Sequence, residues 1–164
     1  MARIEIRPLR AEDAGEVLTV QRAAFASEAL IYGDPDQPAL TQTREQLESE
    51  LRDAVGYAAV LDGRIVGAVR ARPLDGVLQI GRVAVAPDVQ GEGVGSLLLD
   101  VIEGSTECTE AELFTGSLSA ANLALYEARG YRETERVDQG DGTAQVFLRK
   151  PLNGARRADD ASEG

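Results

Sequence analysis

Residues 83–96, Val-Ala-Val-Ala-Pro-Asp-Val-Gln-Gly-Glu-Gly-Val-Gly-Ser, carry the densest chemical signal in the chain. An apolar strand runs into a glycine-rich turn, then into the first turn of a helix. The first backbone N–H groups of a helix have no partner within it, and the helix dipole places partial positive charge there. Gly91, Gly93 and Gly95 stand at alternate positions and carry no side chain to hold an anion away from those amides. The chemistry this allows is the binding of a pyrophosphate. A connection that merely lets a helix pack close to a sheet has the same spacing, and the glycines alone do not separate the two. The dinucleotide pattern G-x-G-x-x-G is absent, because Ser96 and Leu98 stand where its last glycine belongs.

Composition removes other chemistries. The 164 residues contain no His, one Cys and one Lys. Without His there is no Ser-His-Asp triad, no Cys-His pair and no imidazole base. A single Cys builds neither a disulfide framework nor a zinc finger, and no metal site is expected. The one Lys, Lys150, precedes Pro151 and not a P-loop helix. Cys108 sits in a polar stretch with no basic neighbour to activate it, and reads as an incidental thiol. Asp plus Glu outnumber Lys plus Arg by 28 to 17, a net charge of −11 that disfavours a nucleic-acid or anionic-membrane surface. Residues 1–8 have no apolar leader and no long apolar window follows, so a cytoplasmic protein is expected.

These residues need elements to hold them. Arg3 to Arg7 alternates as a strand ended by Pro8, and a helix follows from Asp13 with Val17, Val20, Ala24 and Phe25 on one face. Ser27 to Gln42, rich in Gly, Asp and Pro, predicts a long loop or broken helix. Thr43-Arg-Glu-Gln46 has the form of a capping box that opens a second helix. Asp62-Gly63 and Asp75-Gly76 join three apolar runs into an antiparallel meander, Tyr57 to Leu61, Ile65 to Ala71 and Val77 to Ala86. After the glycine turn come a helix carrying Leu97, Leu98, Val101 and Ile102, a strand at Ala111 to Thr115, and a helix at Ser119 to Arg129 stopped by Gly130. A last hairpin pairs Tyr131 to Val137 with Thr143 to Leu148. The order predicts one mixed α/β (α+β) domain over residues 1–151 and a disordered tail over 152–164.

Two stretches carry a resemblance. Gln90-x-x-Gly93-x-Gly95, after a Val-Ala-Val strand and Pro87, resembles the Q/R-x-x-G-x-G/A element of the GNAT superfamily of N-acetyltransferases. Ser119-Ala-Ala-Asn122-Leu-Ala-Leu-Tyr126-Glu-Ala-Arg-Gly130-Tyr131 resembles that superfamily's second signature, a Ser, an Asn and a Tyr along one helix closed by G-[FY]. The element order agrees from Ile4 to Leu148. The resemblance implies the GNAT acyl-CoA N-acyltransferase fold, a mostly antiparallel twisted sheet of about seven strands flanked by four helices. It implies an enzyme moving an acetyl group from acetyl-CoA directly to an amine in a ternary complex. The pyrophosphate would rest on the amides of Gln90, Gly91, Gly93, Val94, Gly95 and Ser96, and the pantetheine would pair with Val83, Ala84 and Val85 as an added strand. Asn122 would hydrogen-bond the pantetheine. Tyr126 would contact the cofactor and donate a proton to the departing thiolate. The fold also admits a homodimer.

The chain departs from the family in two places. Glu92 stands where many members have a basic residue near the phosphates, and Arg129 either compensates there or is a solvated helix end. Gln79 stands where histone-type members hold a catalytic Glu, so deprotonation would run through water, toward Glu28, Asp34 or Asp36. With Tyr32, those acids suit a cationic amine, a small primary amine or a peptide amino group; equally, their Asp-Pro pairs punctuate a solvated loop. A catalytically silent acyl-CoA sensor is the alternative that Gln79 and Glu92 keep open.

Overall fold

The computed structural model describes residues 3–152. Their elements run β1 (Glu5–Pro8), α1 (Ala14–Tyr32), α2 (Pro38–Thr41), α3 (Arg44–Asp53), β2 (Val55–Leu61), β3 (Arg64–Leu74) and β4 (Val77–Val85). They continue as α4 (Val94–Gly104), β5 (Glu110–Gly116), α5 (Ala120–Ala128), β6 (Arg132–Asp138) and β7 (Ala144–Pro151). The seven strands form one sheet in the order β1-β2-β3-β4-β5-β7-β6. Pairing of β4 with β5 is parallel, and β1 with β2, β2 with β3, β5 with β7 and β6 with β7 are antiparallel. The predicted α/β class and strand number hold. Beyond the four expected helices there is a fifth, the single turn α2. By residue contacts the chain divides into two compact units, Met1–Ala71 with Gly81–Ile102, and Arg72–Ile80 with Glu103–Gly164.

In the first unit, local sequence sets most of the boundaries. Asp62 and Gly63 have φ of 53° and 79°, the positive pair of a type I′ turn whose twist matches the strands it joins. Thr43 accepts from the N–H of Gln46 at 3.1 Å while the Gln46 side chain accepts from the N–H of Thr43 at 2.9 Å, so the predicted capping box forms. Asp13 ties β1 to α1, accepting both terminal nitrogens of Arg7 at 2.9 and 3.0 Å and the N–H of Arg10 at 2.8 Å. Of the two forms expected for Ser27 to Gln42, the structure shows the broken helix, with α1 running through Ser27 and α2 following the break. Ala26 to Tyr32 contain no breaker, and α1 continues to Gly33, whose φ of 63° stops it. Val17, Leu18, Val20, Leu47, Leu51, Val66, Ala68, Leu98 and Leu99 are among the buried residues of this first unit.

The second unit holds β5, α5, β7 and β6. Asp75 and Gly76 repeat the type I′ geometry at 51° and 81°. Ala111, Leu113, Tyr131, Val146 and Leu148 are buried here. β6 is exposed along its whole length, and its Arg132, Glu133, Glu135, Arg136 and Asp138 put charge on the last strand of the sheet, a device that discourages edge-to-edge pairing. Leu152 is buried and its N–H donates to the Thr109 carbonyl at 2.8 Å. The rest of the expected tail, from residue 153, lies outside the described residues. Among those described, no helix is long and apolar enough to cross a membrane.

Candidate functional site

The glycine turn is built from both ends. At its start, Ala86 donates its N–H to the Val66 carbonyl at 2.8 Å, and buried Val89 donates to Ala86 at 3.0 Å. Arg64 reaches Asp88 at 2.7 Å, and Gln90 folds its Nε2 back onto the Val85 carbonyl at 3.3 Å. Gly91 and Gly93 both have φ of 85°. A Cβ at either would meet nothing within 4 Å, so these glycines are required by backbone conformation, and the space above them is open. The α4 ladder starts where Leu97 donates to the Gly93 carbonyl at 3.1 Å. The N–H groups of Val94, Gly95 and Ser96 precede it, with no carbonyl one turn back to accept them. Glu92 is exposed, so its charge is solvated. An open cradle of unpaired amides at an eleven-residue helix suits an anionic group such as a pyrophosphate.

A glycine outside the motif lets α4 lie close against β3. A Cβ at Gly67 on β3 would lie 2.9 Å from Val94 Cγ1, 3.1 Å from Leu98 Cδ1 and 3.2 Å from the Ala84 carbonyl. The first two turns of α4 therefore press on the bare backbone of β3. Val83 and Val85 are half-buried and Ala84 is buried. Parallel pairing of β4 with β5 covers Val77 to Gln79, and Val83 to Val85 lie beyond it along the strand.

Asn122 and Tyr126 belong to the second unit, whereas Val83 to Val85 and Gln90 to Ser96 belong to the first. Asn122 is half-buried and donates from Nδ2 to Thr115 Oγ1 at 3.3 Å. Tyr126 is buried on α5, edge-on to Tyr131 with ring centres 6.1 Å apart. Tyr131 in turn donates its hydroxyl to Glu103 at 2.8 Å, and Glu103 accepts from Lys150 at 2.7 Å. Burial first, then the Glu103 charge, drive the Tyr131 phenol far above its ordinary pKa, so it stays a proton donor to that carboxylate. The one lysine is thus committed to packing Tyr131, its ammonium 5.5 Å from the ring centre. Arg129, expected either at the phosphates or in solvent, instead lies 3.9 Å from Glu103.

The acidic segment is reorganised by the longer α1. Glu28 and Tyr32 are helical, and the Asp34 carboxylate accepts the N–H of Asp36 at 3.0 Å, so Asp34 shapes its own turn. Gln79 is half-buried and stands beside Glu112 in the parallel register. Cys108 is buried.

Sequence reasoning missed a polar cluster in the first unit, formed by Gln21 of α1, Gln42, Glu50 of α3, Arg70 of β3 and Arg82 of β4. Arg70 is 4% exposed and Gln21 is fully buried. Burial pushes the Glu50 carboxyl up, but bonds from Arg70 and Gln42 and the charges of Arg70 and Arg82 outweigh it, leaving its pKa below the ordinary value. The trace available in the sequence was Arg70 itself, a charge inside the apolar run Ile65 to Ala71.

A family model described as an acetyltransferase (GNAT) domain matches residues 52–133, half of the chain. None of the curated proteins matches the sequence. Among solved structures, the PaiA N-acetyltransferase of Thermoplasma acidophilum, in complex with coenzyme A, is similar with a TM-score of 0.72 and 20% identity, over 92% of this chain and 99% of that one. A GNAT-family acetyltransferase of Streptococcus pneumoniae has a TM-score of 0.76 at 18% identity, over 92% and 99%. The ribosomal-protein-S18-alanine N-acetyltransferase of Escherichia coli has a TM-score of 0.74 at 18% identity, over 92% and 94%. At these identities the likeness is one of fold.

Proposed function

The chain belongs to the GNAT acetyltransferase family, and on that premise we propose that it transfers an acetyl group from acetyl-CoA directly to an amine, a small primary amine or a peptide amino group. The observation that carries this reading is the cradle at Gln90 to Ser96. Two glycines at φ of 85° with open space above them lead into unpaired helix amides, the surface a pyrophosphate requires. The pantetheine is assigned to the backbone of Val83, Ala84 and Val85 and to Asn122. Residues 1–151 are taken to act together as one transferase domain.

In this reading no enzyme nucleophile takes part. The amine nitrogen attacks the thioester carbonyl, the C–S bond breaks, and the thiolate takes the phenolic proton of Tyr126. The proton lost by the amine passes to water, since Gln79 is not a base, and the Tyr126 phenolate regains a proton from solvent before the next turnover. Tyr126 earns its role by being a donor where charge develops, which contributes most at the transition state.

Unfolding with and without excess acetyl-CoA tests the cofactor, with ADP and NAD as controls. At one hundred times Kd, binding adds about 2.7 kcal/mol of stability, several degrees for a domain of this size. Tyr126→Phe tests the mechanism. Turnover should fall about a hundredfold with acetyl-CoA affinity kept. A protein that binds acetyl-CoA but releases no thiol with any amine would be a sensor instead.

A further inference from the structure

The cluster of Gln21, Gln42, Glu50, Arg70 and Arg82 has more donors than acceptors. Gln42 Oε1 accepts from three side chains, Gln21 Nε2 at 3.0 Å, Arg82 at 3.2 Å and Arg70 at 3.3 Å. A carbonyl oxygen has two lone pairs, so it is overfilled. Glu50 is the one carboxylate in the cluster, and both its oxygens are engaged. Oε2 accepts from Gln42 at 2.5 Å and from Arg70 at 3.3 Å. Oε1 lies 3.1 Å from Arg70 Nε, a buried nitrogen that still lacks a hydrogen bond of proper geometry. Half-buried Arg82 makes one hydrogen bond among the described residues, to Gln42, out of five N–H donors.

The charges are also unbalanced. Two guanidinium groups face one carboxylate, and at the rim Arg22 adds a third cation by donating to the Gln42 carbonyl at 3.3 Å. The strain shows on Arg82, whose pKa is lowered by burial first and by the like charge of Arg70 second, with Glu50 opposing. It remains protonated at neutral pH. Arg70 is held from three sides by Gln21, Gln42 and Glu50, whereas Arg82 keeps a half-exposed fork with donors to spare.

We propose that Arg82, backed by Arg70, docks a carboxylate carried by the acceptor, so that the acceptor is an amine that also bears a carboxylate. A carboxylate supplies what the cluster lacks, one negative charge and a planar set of lone pairs matching the guanidinium fork. The inference rests on the acetyl-CoA reading for its relevance to transfer. A pantetheine arriving from Gln90 to Ser96 meets Val85 first and Val83 last, which makes Arg82 the next residue of β4 at the thioester end. An amino acid offers a nucleophilic nitrogen and this anion together.

Two measurements test it. Thiol release from acetyl-CoA is followed with matched acceptors, each α-amino acid beside its uncharged amide. The acid member should have the lower KM by about tenfold to a hundredfold. Arg82→Gln should raise KM for the acid member alone with kcat nearly unchanged, Arg82→Lys should restore part of the difference, and exposed Arg52→Gln should change neither. Equal KM for acid and amide, or equal losses for both in Arg82→Gln, overturns the proposal. Independently of turnover, N-acetylglycinate and N-acetylglycinamide are titrated while the arginine Nε–H resonances are followed by NMR. A saturable shift of Arg82 with the acid and not the amide is expected. No such shift overturns the proposal even if no amino acid is acetylated. Acetyl-CoA stabilisation, measured on the same samples, separates the failures. If it is absent, the transferase reading falls while the Arg82 result stands. If it is present and Arg82 is silent, this inference alone falls.

Discussion

Gly67→Ala tests how the glycine turn is held in place. The added methyl would sit 2.9 Å from Val94 Cγ1, 3.1 Å from Leu98 Cδ1 and 3.2 Å from the Ala84 carbonyl. Leu98 can turn its terminal methyl away. Val94 is β-branched and stiff at χ1 in a helix, and the Ala84 oxygen is fixed by its strand. Relief must therefore come from α4 lifting at its first turn, the turn whose amides form the cradle. Overpacking of this kind costs about 1–3 kcal/mol, and replacing glycine in a strand returns about 0.5–1 kcal/mol. The net loss is about 1–2 kcal/mol, or about 3–6 °C in Tm for a domain of this size. Acetyl-CoA affinity should fall up to about tenfold if the lift consumes up to about 1.4 kcal/mol of binding. Urea unfolding gives the stability, and calorimetric titration gives the affinity. Val94→Ala alone loses two buried methyl groups, about 1.6 kcal/mol by transfer, but in the double variant it removes the atom that clashes. The pair should therefore be less destabilised than the sum of its parts by more than about 0.5 kcal/mol. Additive losses, or a Gly67→Ala variant with unchanged stability and affinity, would show that contact with β3 does not set the position of α4.

Gly93→Ala should destabilise by about 1–2 kcal/mol through backbone conformation alone, because φ is 85° and no atom lies within 4 Å of the new methyl; Gly93→Asn should cost less, and urea unfolding of the two ranks them. Acid should weaken the protein through Asp13, whose pKa is held below the ordinary aspartate value first by its hydrogen bonds from Arg7, against the opposing effect of burial. Its contribution is present above the unfolded value of about 4 and is lost as pH falls through the lowered folded value, so Asp13→Asn should flatten the fall of stability below that pH in a urea series.

Much of the fold was legible because its signals are local. Asp62-Gly63 and Asp75-Gly76 adopt positive φ whatever surrounds them, since those residue types tolerate it. Thr43 and Gln46 are three positions apart, so their capping box closes within one turn. The glycine turn belongs to the same class. Gly91 and Gly93 supply the backbone angles, and the order strand-turn-helix supplies the free amides. For Ser27 to Gln42 the sequence left a long loop and a broken helix both open; helix propensity carries α1 to Tyr32, and Gly33 supplies the stop.

What depends on distant partners was invisible until the chain was folded. Arg70 bonds Gln21 across 49 positions, Gln42 across 28 and Glu50 across 20, and Arg82 bonds Gln42 across 40. No spacing rule links such residues, because they meet only when two helices close over β3 and β4. Gly67 looks dispensable in an apolar strand until α4 lies 2.9 Å from its missing side chain. Nothing in the sequence links Lys150 and Arg129 until Glu103 gathers both beside Tyr131. Local sequence therefore determined the turns, the caps and the backbone of the glycine turn, whose conformations are set within a few residues. Tertiary structure decided the electrostatics of the buried arginines and the seating of α4, because charge pairing and close packing act between groups that the chain holds far apart.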